Sequence, residues 1–380
     1  MDQPSLDNSI KNYTFYYDES NNVRKLTLLD GKYNIDNHQS KVSSSNFVLA
    51  GIVKNNNSND HSFDDLFSEL NIQKTAKELK FNQVAKGEFE DVLKSRKLMI
   101  LLRWLLNSNY NIHYFNLNME YWVFLDLIED LVLHVSKERI ISDEILDSRQ
   151  FHYKDALYCL LKLRKEAFLN IANRYGYPKI SKAYAKKFIS EISSLAKETT
   201  LPNNRFRYDV STVSSMKIKS LHKFLRLCKG VDDLTLTYNH ERGVLIDGLS
   251  FFYSDRLRKF NHSIHIFDNE YDIEREIKDI SIWDDTVRNS TFKFVESIEH
   301  KKIQVSDVVA GLFMRYFTFL NKYELAETLN IKGGFNSTQA ENINLMKSLI
   351  YKSAAECEQF LFYSMSVSES DNHNAFLFDR

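Results

Sequence analysis

Cysteine is scarce in this 380-residue chain. Cys159, Cys228 and Cys357 are its only three, far apart and odd in number. Neither a disulfide framework nor a CxxC metal site follows from that pattern, and a reducing, cytoplasmic setting is expected. None of the ten glycines falls in a GxxxxGKS or GxGxxG loop, so dedicated nucleotide-binding sites of those types are not expected. An excess of one charge is missing too: 50 basic side chains face 51 acidic ones. That balance argues against a protein that coats nucleic acid through bulk charge, although a local basic groove remains compatible with it. The opening MDQPSLDNSIKN is polar, and no run approaches the roughly 20 apolar residues of a membrane span. Neither a secretory signal nor a membrane role is expected.

What is present suffices for a buried core, with 43% hydrophobic and 13% aromatic residues. The length exceeds that of one usual domain, so a core plus a second unit or large insertion is expected. The run Tyr13 to Tyr17 is β-prone, Val23 to Leu29 reads as a second strand and Asn46 to Val53 as a third, an antiparallel meander. Glu88 to Leu106 carries the three-to-four periodicity of a long core helix. Asn111 to Leu117 alternates like a fourth strand. From Glu120 to about Gly230 the pattern is almost purely helical, with breaks near Gly176 to Pro178 and at Pro202. Strand character returns in Gly243 to Asp247 and in Ser263 to Phe267, with a helix from Leu249 to Phe260 between them. A polar-acidic loop around Trp283 to Asp285 leads to a helix over Lys302 to Phe319. One further helix, Gln339 to Tyr363, precedes a polar tail.

That order predicts an α/β fold, an RNase H-like mixed sheet with a large helical insertion. The expected division is a discontinuous core of 12–119 and 241–330, an insertion over 120–240, and a C-terminal helix with tail over 331–380. The carboxylates fall at telling points: Asp18 ends the first strand, Asp268 ends the strand after the insertion, and Asp307 lies in the first turns of an apolar helix. An acid among Ile303, Val305, Val308 and Val309 needs a partner. Hard divalent ions such as Mg²⁺ or Mn²⁺ take carboxylate oxygen and leave positions for phosphates, which suits phosphodiester hydrolysis. For each acid the plainer alternative is a turn or helix-terminus charge.

Four motifs sharpen this: Asp18-Glu19-Ser20; Glu78-Leu79-Lys80; Phe267-Asp268-Asn269-Glu270; and Ile303-Gln304-Val305-Ser306-Asp307-Val308-Val309-Ala310-Gly311. Together they resemble a widespread microbial domain-of-unknown-function family of RNase H-like proteins with D-E-S, E-x-K and I-Q-x-x-D-x-x-A-G motifs. The resemblance covers roughly the first hundred residues and Ser263 to Phe319, not the helical middle. It implies a nuclease-type site with Asp18, Glu78, Asp268 and Asp307 as metal ligands and Lys80 near a phosphate. Glu19 and Gln304 would orient ligands or water. It also implies a setting in microbial defence or mobile elements. Where the family commonly has Gly after D-E-S this chain has Asn21, a residue that tolerates a left-handed turn; Ser306 stands where a small residue is usual.

Other signals weigh less. His262 and His265 flank the strand before Asp268 and read more simply as residues of an alternating strand. Ser20 and Ser306 lack any matched His and Asp. Basic runs in the middle, Lys162 to Lys165, Lys182 to Lys187 and Lys217 to Lys229, with Arg205, Arg207 and Tyr208 between the last two, suit a nucleic-acid backbone or simply a solvated face. The expected function is a divalent-metal nuclease acting on DNA or RNA. The rival is a non-catalytic module that engages a protein or nucleic-acid partner through the insertion.

Overall fold

The computed structural model describes residues 12–36, 45–72, 76–201, 211–237 and 241–379; Arg205, Arg207 and Tyr208 lie outside them. Its strands are β1 (Tyr13–Ser20), β2 (Lys25–Leu29), β3 (Lys32–Tyr33), β4 (Asn46–Asn55), β5 (Tyr110–Asn118), β6 (Val244–Asp247), β7 (Ile264–Asp268), β8 (Thr291–Val295) and β9 (Leu361–Ser364). Six of them form one mixed sheet in the order β8-β7-β1-β4-β5-β9. β4 runs antiparallel to both β1 and β5. On the other side of β1, β7 and then β8 pair in parallel. The chain is therefore an α/β protein with a mixed sheet.

The expected meander is corrected in its middle. β2 leaves the main sheet for a small one of order β3-β2-β6, so β1 and β4 pair directly. β2 thereby joins the segment that follows the first strand to the one that follows the insertion.

The pleat of β1 sorts its side chains into two layers. Phe15 and Tyr17 enter a core with Leu49, Phe115, Phe267 and many apolar residues of the helical middle. That middle includes α2 (Asp143–Leu163), α3 (Lys182–Thr199) and α4 (Thr212–Leu227), after α1 (Arg96–Asn107) has closed the preceding segment. α5 (Ser250–Lys259) and α6 (Tyr271–Trp283) then bracket β7. On the opposite face, Val48, Ala50, Ile52 and Tyr114 pack with α1, α7 (Lys301–Lys322) and α8 (Ser337–Glu356). α7 is long and apolar enough to cross a bilayer by length and composition, but 83% of that stretch is buried inside the protein. It is the central core helix.

Three further expectations change. The helix over Glu88 to Leu106 is interrupted: only α1 is long, and the Ser95 side chain accepts from the Leu98 N–H to cap it. The acidic segment at Trp283 to Asp285 is no loop, because Asp284 caps a short helix, Asp285–Asn289, and holds Arg258. Nor is the C-terminus a helix to Tyr363 with a polar tail. α8 stops at Glu356, β9 adds to the sheet edge beside β5, and α9 (Val367–Phe378) buries Phe376 and Leu377.

Candidate metal centre

Strand pairing brings the first two carboxylates together. Tyr17 is registered against Phe267, so Asp18 and Asp268 follow side by side on strands about 4.8 Å apart. Tyr17 and Phe267 both point into the layer under the insertion. Alternation therefore turns Asp18 and Asp268 to the other face, toward α7.

α7 reaches that face because its contact residues are small. A Cβ on Gly51 would lie 2.0 Å from the Tyr16 carbonyl and 2.5 Å from Ser306 Oγ. With hydrogen there instead, Ser306 Oγ donates to the Tyr16 carbonyl at 2.9 Å and accepts from the Ile52 N–H. Asp307, the next residue, is thereby held over the end of β1. Its Oδ2 accepts from the Phe81 N–H at 2.5 Å, which also fixes the segment carrying Glu78 and Lys80. Gln304 secures that segment from the same helix, its Oε1 accepting from the Leu79 N–H and its Nε2 donating to the Ser297 carbonyl.

Phe81 seats on Gly311, where an added Cβ would come within 2.4 Å of its ring. Gly311→Ala is expected to cost about 1–3 kcal/mol through overpacking. It should also displace Lys80 while leaving the distant β4–β5 pairing intact. Hydrogen exchange, with protection falling around Phe81 and unchanged along β5, checks this.

The ammonium of Lys80 stands among the acids, 3.6 Å from Asp307 Oδ1, 3.7 Å from Glu78 Oε2 and 3.9 Å from Asp268 Oδ2. Ser297 bridges the same group, donating to Glu78 Oε2 at 2.8 Å and accepting from Lys80 at 3.4 Å. Asp18 Oδ1 accepts from the Glu19 N–H, but its Oδ2 is buried with no hydrogen-bond partner among the described residues. Burial, then the charges of Glu19, Asp307 and Asp268, hold the Asp18 carboxyl well above the usual range. Asp307 and Asp268 are raised as well, burial being the main cause, with Lys80 opposing it. Burial alone would lower Lys80, yet Asp307, Asp18, Asp268 and Glu78 raise it. One monovalent ammonium thus serves a carboxylate group that exceeds it in charge.

Of the predicted residues, Asp18, Glu78, Lys80, Asp268 and Asp307 form this one cluster. Among the described residues, His, Cys and acidic side chains are not drawn up as a ready-made ligand set of three; Lys80 stands between the acids. Glu19 turns to the other face of β1, beside Tyr253. Burial and the neighbouring Glu270 and Asp268 push it up to about 8. Gln304 anchors backbone. Asn21 adopts the left-handed conformation, φ 67°. His265 is a core residue, its ring nitrogens engaged by Tyr17 Oη and the Phe260 carbonyl, and His262 is exposed. Ser297 and Tyr253 were not foreseen, since a lone serine in a short turn and a tyrosine in a helix of mixed apolar and charged residues carry no sequence signal. No family model matches the chain, and comparison with curated proteins and with solved structures finds no match.

Proposed function

We propose that the chain is a divalent-metal-dependent nuclease of RNase H-like type that hydrolyses phosphodiester bonds in DNA or RNA. The observation that carries this reading is the buried, unpartnered Oδ2 of Asp18, beside Asp268 and facing Asp307 across the sheet end. Hard oxygen donors under mutual repulsion are the donor set a hard cation relieves. The strand order supports the RNase H-like reading: β1 is central, with antiparallel β4 and then β5 and β9 on one side and parallel β7 and β8 on the other.

Asp18, Glu78, Asp268 and Asp307 would hold Mg²⁺ or Mn²⁺. Bound there, the metal supplies charge neutralisation and a lowered water pKa for in-line hydrolysis. The protein's own groups act around it. Lys80, kept protonated by four acids, offers a cation to a phosphate at the cluster's edge. Ser297 orients Glu78 and Lys80 together. The dispersed cysteines support a cytoplasmic setting, and the family resemblance supports a role in microbial defence or mobile elements.

One feature favours a second reading. Lys80 already balances part of the carboxylate charge, as it would in a structural ion cluster of a non-catalytic module that engages a protein or nucleic-acid partner. The test is cleavage of labelled DNA and RNA, single- and double-stranded, with Mg²⁺ or Mn²⁺. Wild type is expected to cut at least one substrate and a folded Asp307→Ala variant none. No cutting by wild type, or equal cutting by both, rejects the nuclease.

A further inference from the structure

Charge in this protein is unevenly distributed. The whole chain is balanced, yet 179–230 carries twelve Lys and Arg against three Asp and Glu. α4 has no acid at all. Its Lys219, Lys223 and Arg226 recur at i, i+4 and i+7, so they share one helix face, and all three are exposed. The buried residues Ile218, Leu221, Phe224 and Leu225 fill the other side. α4 packs along α3, which adds the exposed Lys186 and Lys187.

Three of the nearby acids are already engaged by other cations. Asp155 holds Lys217, Asp233 holds Lys182, and Glu191 holds Arg174. Among the described residues, no carboxylate is paired with Lys219, Lys223 or Arg226. An ordinary solvated helix face mixes both signs at i,i+4 spacing, because like charges there are mildly destabilising. A row of one sign, uncompensated in a neutral protein, is the footprint of a polyanion.

We infer that the exposed face of α4 binds the sugar-phosphate backbone of a nucleic acid strand, without reading bases. Lys219 to Arg226 spans about 10 Å of helix at roughly 1.5 Å per residue. That length matches about three phosphates at roughly 3.4 Å of axial rise per strand. The assignment deepens the nuclease reading, because a site made of carboxylates repels a polyanion and needs a cationic grip elsewhere in the chain.

The test is fluorescence anisotropy of the full chain with a labelled 30-mer DNA duplex, and with RNA of the same sequence, in EDTA so that no cutting intervenes. The triple variant Lys219→Gln/Lys223→Gln/Arg226→Gln should bind on the order of 100-fold more weakly at low salt. Its plot of log affinity against log salt should lose about 2–3 units of slope. A control with the same charge loss, Lys94→Gln/Lys278→Gln/Lys347→Gln, should bind like wild type. Failure of wild type to bind either nucleic acid, or equal weakening by both triples, overturns the proposal. So does binding to vesicles containing phosphatidylserine with none to DNA or RNA. Binding that persists in a chain that cuts nothing leaves this surface standing and removes only the nuclease.

Discussion

Asp18→Asn is expected to cut cleavage by at least about 10³-fold, as loss of a metal ligand in phosphodiester chemistry does, and at the same time to stabilise the metal-free protein. The amide matches the carboxylate in shape and removes a buried charge repelled by Glu19, Asp307 and Asp268. A gain of about 1–2 kcal/mol, or a few degrees in Tm, is expected in EDTA. The sign with pH follows from the raised carboxyl. A group whose pKa rises on folding adds stability below its unfolded value and loses it as pH climbs through the folded value. Wild type should therefore weaken in EDTA as pH rises. Glu19 extends that weakening from about pH 4.5 to about 8. The advantage of Asn over Asp should be absent in acid and largest in mild alkali. Mg²⁺ or Mn²⁺ should raise the wild-type Tm and move the variant much less. Thermal scans across pH, with and without metal, decide it. A variant less stable than wild type at pH 8 in EDTA, or one with an equal metal shift, means that Asp18 is not part of a strained cation site.

The acids could be located from sequence because each sits where local patterning ends. Asp18 and Asp268 close β-prone runs, and Asp307 interrupts an apolar helical stretch. Their convergence rests on long-range pairing that periodicity does not encode. β2 illustrates this: its alternation correctly marks a strand, but nothing local says that it pairs with β6, more than two hundred residues away, instead of with β1 and β4. β9 was hidden for a related reason. The four residues Leu361–Ser364 follow a helical pattern and form a strand only because the edge of β5 is open to them. Ser297 was hidden because its role is relational, set by the distance to Glu78 and Lys80. Gly51 and Gly311 belong to the same class, since a glycine's missing side chain acquires meaning only from what packs against it.

Lys80→Met should separate the two roles that an ammonium among carboxylates can play. The Lys80 side chain is 32% exposed and its three carboxylate neighbours 20–28%, so solvent screens the cluster in part. Removing its cation still leaves the acids without compensation, which should cost about 1–3 kcal/mol in EDTA. Methionine keeps most of the packing of the lysine stem, so the loss reports charge rather than volume. Divalent cation should then restore more stability to the variant than it adds to wild type, because Mg²⁺ no longer competes with Lys80 for the same oxygens. Cleavage should nevertheless stay about 10- to 100-fold low with Mg²⁺ saturating, if Lys80 also meets a phosphate. A Met variant as stable as wild type in EDTA would mean that the acids are protonated and need no counter-ion. One destabilised in EDTA, yet no more responsive to Mg²⁺ than wild type, would make Lys80 a structural partner in a cluster that takes no metal. The graded outcome, destabilised without metal, rescued by it and still impaired in cutting, is the one that an intrinsic cation beside a metal centre requires.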